Sequence, residues 1–209
     1  MMDNCIITDL DDTLLSTHFR QYSCINDYIL HSGQSFIDFE TYYELRRSNH
    51  FSNTQLLESL KIKLDWQHFK IWYLANIESE KYLVLDTLIV DKQLFANTVQ
   101  NEFKLVLLSL RNNHQQALQQ LHNLGIEMFF SEICFVQHNQ HANPKINILK
   151  QMQASYNVVA FCGDSISDYE AAKLLNINFV QVKTSLYLLP DFEHAVQFKN
   201  INQYFLSIP

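Results

Sequence analysis

Glycine and proline are scarce in this chain, three of each in 209 residues. With so few, no low-complexity tract or internal repeat interrupts the sequence. Cysteine is limited to Cys5, Cys24, Cys134 and Cys162, and no two of them form a C-x-x-C pair. Three of the four sit in apolar, strand-like runs, where a reduced thiol packs as a small hydrophobe. A disulfide framework is therefore not expected, and the pattern fits a reducing, cytoplasmic setting. No run of about 18 apolar residues occurs, so no membrane span is expected. The start carries Asp3 and enters an apolar run at once, without the basic and apolar segments of a secretion leader. Basic residues are also outnumbered, 15 Lys and Arg against 22 Asp and Glu, for a net charge of −7. No basic stripe is present to follow a phosphate backbone, so a nucleic-acid partner is not expected.

What the chain does have is apolar mass. Such residues make up 47% of it, enough for a packed core in one good-sized domain or in a core with an insert. Residues 5–9 read as a strand. Periodic apolar residues then predict helices over 16–31, over 35–47, from near Asn53 (a plausible N-cap) and from Asp65. About 70 largely helical residues before the next strand exceed a simple crossover and point to an inserted helical subdomain. Beyond residue 88 the pattern alternates. Helices are expected at 91–101, 114–124, 144–156 and 167–175, and strands at 103–109, 133–136, 158–163 and 178–182. Continuous apolar strands alternating with helices predict a parallel sheet covered on both faces. The fold class is α/β, a Rossmann-like core formed by residues 1–14 and 88–209, with residues 15–87 inserted. Ligands of such sheets bind beyond the carboxyl ends of the strands.

Four fragments carry chemistry. The first is Cys5-Ile6-Ile7-Thr8-Asp9-Leu10-Asp11-Asp12-Thr13-Leu14. An apolar run delivers Asp9 to a strand end, and Asp11 follows on the same side of the backbone by the two-residue period. One carboxylate can attack while the other moves a proton, a pairing suited to phosphoryl transfer through an aspartyl-phosphate. The second is Ser109 after Val106-Leu107-Leu108, and the third is Lys145 after Asn143-Pro144. The fourth is Gly163-Asp164-Ser165-Ile166-Ser167-Asp168, after the apolar run 158–162.

Together, and in this order, the four fragments resemble the haloacid dehalogenase-like (HAD-like) hydrolases, in the phosphoglycolate phosphatase-like branch with a helical cap. The resemblance spans nearly the whole chain. It implies Asp9 as nucleophile and Asp11 as general acid, then base. Thr13 would steady the loop. Ser109 and Lys145 would hold the transferred phosphoryl group, with Lys150 the nearby competitor for the lysine and Lys104 a remote one. It implies Mg²⁺, held by Asp9, the main-chain carbonyl of Asp11, and Asp164. Asp168 would bind through water or as support. The implied reaction is Mg²⁺-dependent hydrolysis of a small phosphorylated metabolite.

Other readings accompany these. Relatives often carry a small residue after the Ser109 equivalent, whereas Leu110 and then Arg111 follow here; Arg111 is a candidate for a substrate anion. Arg46 and Arg47, in the insert, are candidates for reading the substrate. Asp12 is expected to face solvent or to cap the loop. The rival chemistries are a sugar phosphomutase and a phosphonate-cleaving enzyme. The latter needs a cap lysine, for which Lys61, Lys63 and Lys70 are available. A non-catalytic ligand-binding module is the alternative from another class.

Overall fold

The computed structural model describes residues 2–137, 142–187 and 189–208. The chain forms two compact units: residues 1–16, 88–185 and 189–209 in one, and 17–87 with 186–188 in the other. It begins with β1 (Asn4–Thr8) and the short β2 (Leu15–Ser16). Helices α1 (His18–His31), α2 (Phe39–Arg47), α3 (Asn53–Ser59), α4 (Trp66–Asn76) and the single-turn α5 (Glu80–Leu83) follow. Strand β3 (Thr87–Leu88) pairs with β2 as a two-stranded ribbon. Then come α6 (Lys92–Gln100), β4 (Lys104–Leu110), α7 (His114–Asn123), a 3-10 turn (Glu127–Phe129) and β5 (Glu132–Val136). The chain continues with α8 (Lys145–Ser155), β6 (Asn157–Gly163), α9 (Ile166–Leu174), β7 (Phe179–Val182), β8 (Val196–Phe198) and α10 (Ile201–Ser207). Among the described residues, no helix is long and apolar enough to cross a membrane.

The larger unit is a six-stranded parallel sheet in the order β5-β4-β1-β6-β7-β8, a Rossmann-like α/β core. Its central strands are apolar at successive positions because both faces are covered: Cys5 to Ile7 and Leu105 to Leu108 have no exposed surface. The two-residue period sorts these side chains into two layers. Ile6, Leu105 and Leu107 pack with Phe95 of α6, Leu121 of α7 and Phe205 of α10. Cys5, Ile7, Val106 and Leu108 pack with Leu149 and Met152 of α8 and with Ala171 and Ala172 of α9. The register Ile7↔Val106 and Ile7↔Phe161 makes β1 the axis of the sheet. Whatever leaves the carboxyl end of β1 is flanked by the ends of β4 and β6.

The helical unit has its own core, with Ile25, Ile29, Tyr42, Leu56 and Leu57 fully enclosed. The sequence predicts a helix from residue 35, but α2 starts only at Phe39. Asn26 supplies the reason. Its side chain accepts from the Ile37 N–H and donates to the Ile37 carbonyl, both at 2.8 Å, so that extended backbone is satisfied without helical bonds. Asp38 then caps α2 by accepting from Thr41 N–H. The cap of α3 is Ser52, not Asn53. Ser52 and Gln55 bond each other's backbone N–H in a reciprocal capping box, which outcompetes a lone asparagine cap. The ribbon, α5, β8 and α10 have no counterpart in the periodicity reading; the ribbon strands, α5 and β8, of two to four residues, are too short to display a period.

Arg20 on α1 and Asp86, just after α5, form an ion pair at 3.3 Å with side-chain exposures of 5% and 0%. Truncating one partner of such a pair leaves a charge buried. Asp86→Ala should cost about 3–5 kcal/mol in urea unfolding, and the amides of α1 should lose hydrogen-exchange protection. A loss below about 1 kcal/mol, the range of an exposed pair, would contradict the burial.

Candidate active site

Strand β1 ends at Thr8, but the Asp9 N–H still bonds the Cys162 carbonyl at 2.9 Å, so Asp9 leaves the sheet from a fixed position. The chain then turns sharply. The Leu10 carbonyl accepts from the N–H groups of Thr13, Leu14 and Leu15, at 3.3, 2.9 and 3.0 Å. Asp12 takes the left-handed conformation this turn demands, with φ of 53°, which aspartate tolerates better than most residues. On one side, β4 brings Ser109, 1% exposed; on the other, β6 ends at Gly163 and hands over Asp164. Three segments distant in sequence thus meet at the carboxyl ends of adjacent strands.

The lysine at this site is Lys145. Helix α8 begins with it, and its ammonium lies 2.6 Å from both Asp9 Oδ1 and Asp168 Oδ1. Lys150 is exposed on the same helix, and Lys104 lies 4.0 Å from Asp3 at the start of β4. Asn143 sets the geometry. Its side chain accepts from the Lys145 N–H at 3.0 Å and donates to the Ser167 carbonyl at 2.6 Å, tying the starts of α8 and α9 together. The sequence signal was the Asn-Pro turn, since asparagine readily bonds backbone two residues on.

Asp168 has no exposed surface, and both its oxygens are engaged. Oδ1 takes Lys145, and Oδ2 takes the hydroxyl and N–H of Ser165 in a capping box at the start of α9. Gly163 is required by this packing. A Cβ there would lie 2.6 Å from Asp168 Oδ2 and 2.8 Å from its Cβ and Cγ, so only glycine lets the carboxylate approach.

One carboxylate oxygen from each of Asp9, Asp164 and Asp168 lies within 4.8 Å of the others. Burial pushes the Asp9 carboxyl up to about 7; the Lys145 charge pulls against this, and the charges of Asp168 and Asp11 add to it. Asp164 is also pushed well up, first by burial and then by the charges of Asp12, Asp9 and Asp168, against a smaller pull from Lys145. For Lys145, burial works against the charge, but Asp168 and Asp9 outweigh it, so its pKa moves upward and it stays an ammonium. Crowded carboxylates, two buried and one half-buried, with oxygen-only donors suit a hard cation such as Mg²⁺; zinc favours histidine and cysteine.

Several side chains sit elsewhere than the sequence implied. Arg111, expected at a substrate anion, is 1% exposed; its guanidinium lies 2.5 Å from Asp11 Oδ1 and 3.2 Å from Gln120 Oε1. Residue parity explains this, because Arg111 follows Ser109 by two positions and points into the layer of α7. Arg46 is 8% exposed, donates to the Phe51 carbonyl at 2.7 Å and closes the α2–α3 turn. Arg47 lies over the Tyr43 ring, 5.9 Å from its centre. Asp12 does not face solvent. It is 6% exposed, and its carbonyl accepts the Thr184 hydroxyl, which periodicity could not have paired with it. Lys61, Lys63 and Lys70 are exposed, without the desolvation that activates a Schiff-base lysine.

The model of the Haloacid dehalogenase-like hydrolase family matches residues 6–182. No curated protein matches the chain. Among solved structures, it is similar to a HAD-superfamily hydrolase, subfamily IA, variant 1, from Geobacter sulfurreducens (15% identity, TM-score 0.68, 97% of this chain and 94% of that one). It is similar to Protein Tyrosine Kinase A of Mycobacterium tuberculosis (17% identity, TM-score 0.71, 98% of each chain). It is also similar to a predicted phosphoglycolate phosphatase from Haemophilus somnus (16% identity, TM-score 0.69, 97% and 96%). At these identities the likeness shows the fold.

The electrostatics of the cluster give a signed pH dependence. With its folded pKa near 7 and an unfolded value near 3.8, Asp9 binds its proton more tightly when folded. Its contribution is complete below the unfolded value and is lost as pH rises through about 7. Thermal melts in chelator should therefore show Asp9→Asn more stable than wild type at pH 8, with the difference shrinking towards pH 4. A variant less stable than wild type at pH 8 would show that the ion pair with Lys145 outweighs burial.

Proposed function

Because the chain belongs to the haloacid dehalogenase-like hydrolase family, we propose that it hydrolyses phosphate monoesters of small metabolites, with Asp9 as the nucleophile. The observation that carries this reading is the buried Lys145 ammonium at 2.6 Å from Asp9 Oδ1, with Asp164 in the same carboxylate cluster and Ser109 on the neighbouring strand β4. A lone buried aspartate has no need of so built a setting. A nucleophile facing a phosphoryl group needs its charge neutralised and its direction fixed.

In this reading Asp9 attacks phosphorus and the ester bond breaks. The leaving alkoxide takes a proton from Asp11, and the phosphoryl group remains on Asp9 as an acyl phosphate. Asp11, now a carboxylate, removes a proton from the water that attacks the same phosphorus. Inorganic phosphate leaves and Asp9 is restored. The Ser109 hydroxyl donates to a phosphoryl oxygen, while Lys145 offsets the added negative charge and keeps Asp9 aimed. Asp168, with both oxygens engaged, positions Lys145. Asp9, Asp164 and the Asp11 main-chain carbonyl would hold Mg²⁺. When bound, the ion supplies charge neutralisation to the transferring phosphoryl group. The substrate class is the one that the family resemblance implies.

Metal and activity can be tested separately. Mg²⁺ should raise the melting temperature of wild type but not of Asp164→Asn. Linkage gives about 2.7 kcal/mol of stabilisation at a hundredfold excess over Kd. Excess chelator should abolish turnover of p-nitrophenyl phosphate, and full activity in chelator would remove the metal from the reading.

Asp11→Asn should slow turnover by roughly 10²–10⁴. With p-nitrophenyl phosphate, whose leaving group needs little protonation, the variant should give a burst of nitrophenolate followed by a slow steady state. An unchanged steady-state rate would exclude Asp11 as the shared acid and base. Dependence on a bisphosphate activator, without release of free phosphate, would instead mark a mutase.

A further inference from the structure

Two acidic side chains of the β1 loop are each met by a buried cation, and the two cations come from opposite layers of the sheet. Lys145 reaches Asp9 from the layer of α8 and α9. Arg111 reaches Asp11 at 2.5 Å from the layer of α7. The first cation belongs to the catalytic set already described; the second has no place in it.

Arg111 is firmly mounted. It follows the last residue of β4, and its N–H bonds the Val136 carbonyl at 3.0 Å, extending the ladder to β5. Its side chain is 1% exposed, and Gln120 of α7, itself 7% exposed, accepts from the same terminal nitrogen at 3.2 Å. A guanidinium stays ionised wherever it is placed, and its planar fork fixes the direction of each donor. Such a donor fixes the Asp11 oxygen it meets whether the carboxyl is ionised or carries a proton on its other oxygen.

Asp11 is the less constrained partner. It sits on the turn after β1, and its side chain is 31% exposed. A proton-transfer group must lie within hydrogen-bond reach of the atom it serves. Left to the turn alone, the Asp11 carboxylate would sample several rotamers.

We propose that Arg111 is a positioning residue for Asp11, with Gln120 orienting the guanidinium. The assignment rests on the hydrolase reading for its kinetic consequence and on the ion-pair geometry for its structural one. It gives Arg111 a role inside the core in place of the substrate contact that its sequence position suggested.

The test is a double-mutant cycle of wild type, Arg111→Met, Asp11→Asn and the double variant, read in two ways. In hydrolysis of p-nitrophenyl phosphate with Mg²⁺, Arg111→Met should lower kcat by about 10²-fold, the scale expected for misplacing a reacting group by about 1 Å, and should show the same nitrophenolate burst as Asp11→Asn. In the Asp11→Asn background the same change should alter kcat by no more than about twofold. Arg111→Lys should recover part of the loss by restoring a cation. An equal loss in both backgrounds would reduce Arg111 to a structural residue and overturn the proposal.

The thermal unfolding midpoints of the same four proteins should be non-additive. If wild type releases no phosphate, the hydrolase reading falls, and the midpoints still decide the pairing: additive shifts overturn it. Should Arg111→Met not fold, Gln120→Leu keeps the charge but loosens its orientation. It should lower kcat with the same burst, and an unchanged kcat would overturn the orienting role.

Discussion

The Lys145 ammonium, held between Asp9 and Asp168, is the contact on which the geometry of this molecule turns. Three carboxylates, Asp9 and Asp168 buried and Asp164 half-buried, repel one another and resist leaving water. Their convergence is tolerable only because a cation is buried with them. The lysine cannot find that place unaided. Asn143 binds both its N–H and the carbonyl of Ser167, and Gly163 gives up a side chain so that Asp168 can approach. The starts of α8 and α9 and the ends of β1 and β6 are thereby set by one charge.

The same contact accounts for the division of labour among the acids. Both oxygens of Asp168 are engaged, one by Lys145 and one by Ser165, as the proposed supporting role requires. Asp9 shares the lysine through one oxygen. Asp164 is pushed well up by burial and neighbouring charge, which a bound cation would offset. Members of one acidic motif therefore differ in role because their neighbours differ. Gly163 and Asp164 close the strand, Ser165 caps the helix, and Asp168 turns back under both. Family membership names the residues that matter, while the environment of each carboxylate says what it can do.

The helical unit obeys a separate set of constraints. Its core is rich in aromatic rings, with Tyr28 meeting Phe69 edge-on at 5.1 Å and Trp72 at 5.2 Å. Two polar devices give that core its definition. Asn26 satisfies an extended stretch at Ile37, and the Arg20–Asp86 pair joins α1 to the segment after α5. Arg46 belongs with them, since it serves the Phe51 carbonyl. An arginine in a helical insert suggests recognition; here its donors complete a turn.

The sequence by itself determined the parallel α/β core, because continuous apolar runs of five to seven residues alternating with amphipathic stretches admit few other arrangements. It also determined the four motif fragments and their order, because strand-end carboxylates after apolar runs are a local signal. The shortest elements were not legible: the ribbon strands, α5 and β8, of two to four residues, are below the length at which periodicity appears. Neither was the partner of any buried charge. Arg111, Arg46 and Asp12 look like surface residues in one dimension, since polarity is local whereas burial is a property of what packs on top. Tertiary structure alone pairs Arg111 with Asp11, and it selects Lys145 over Lys150 and Lys104 as the lysine that meets Asp9. Those pairings join residues about 100 or more positions apart, and a pairwise electrostatic contact at that range leaves no periodic trace in the chain.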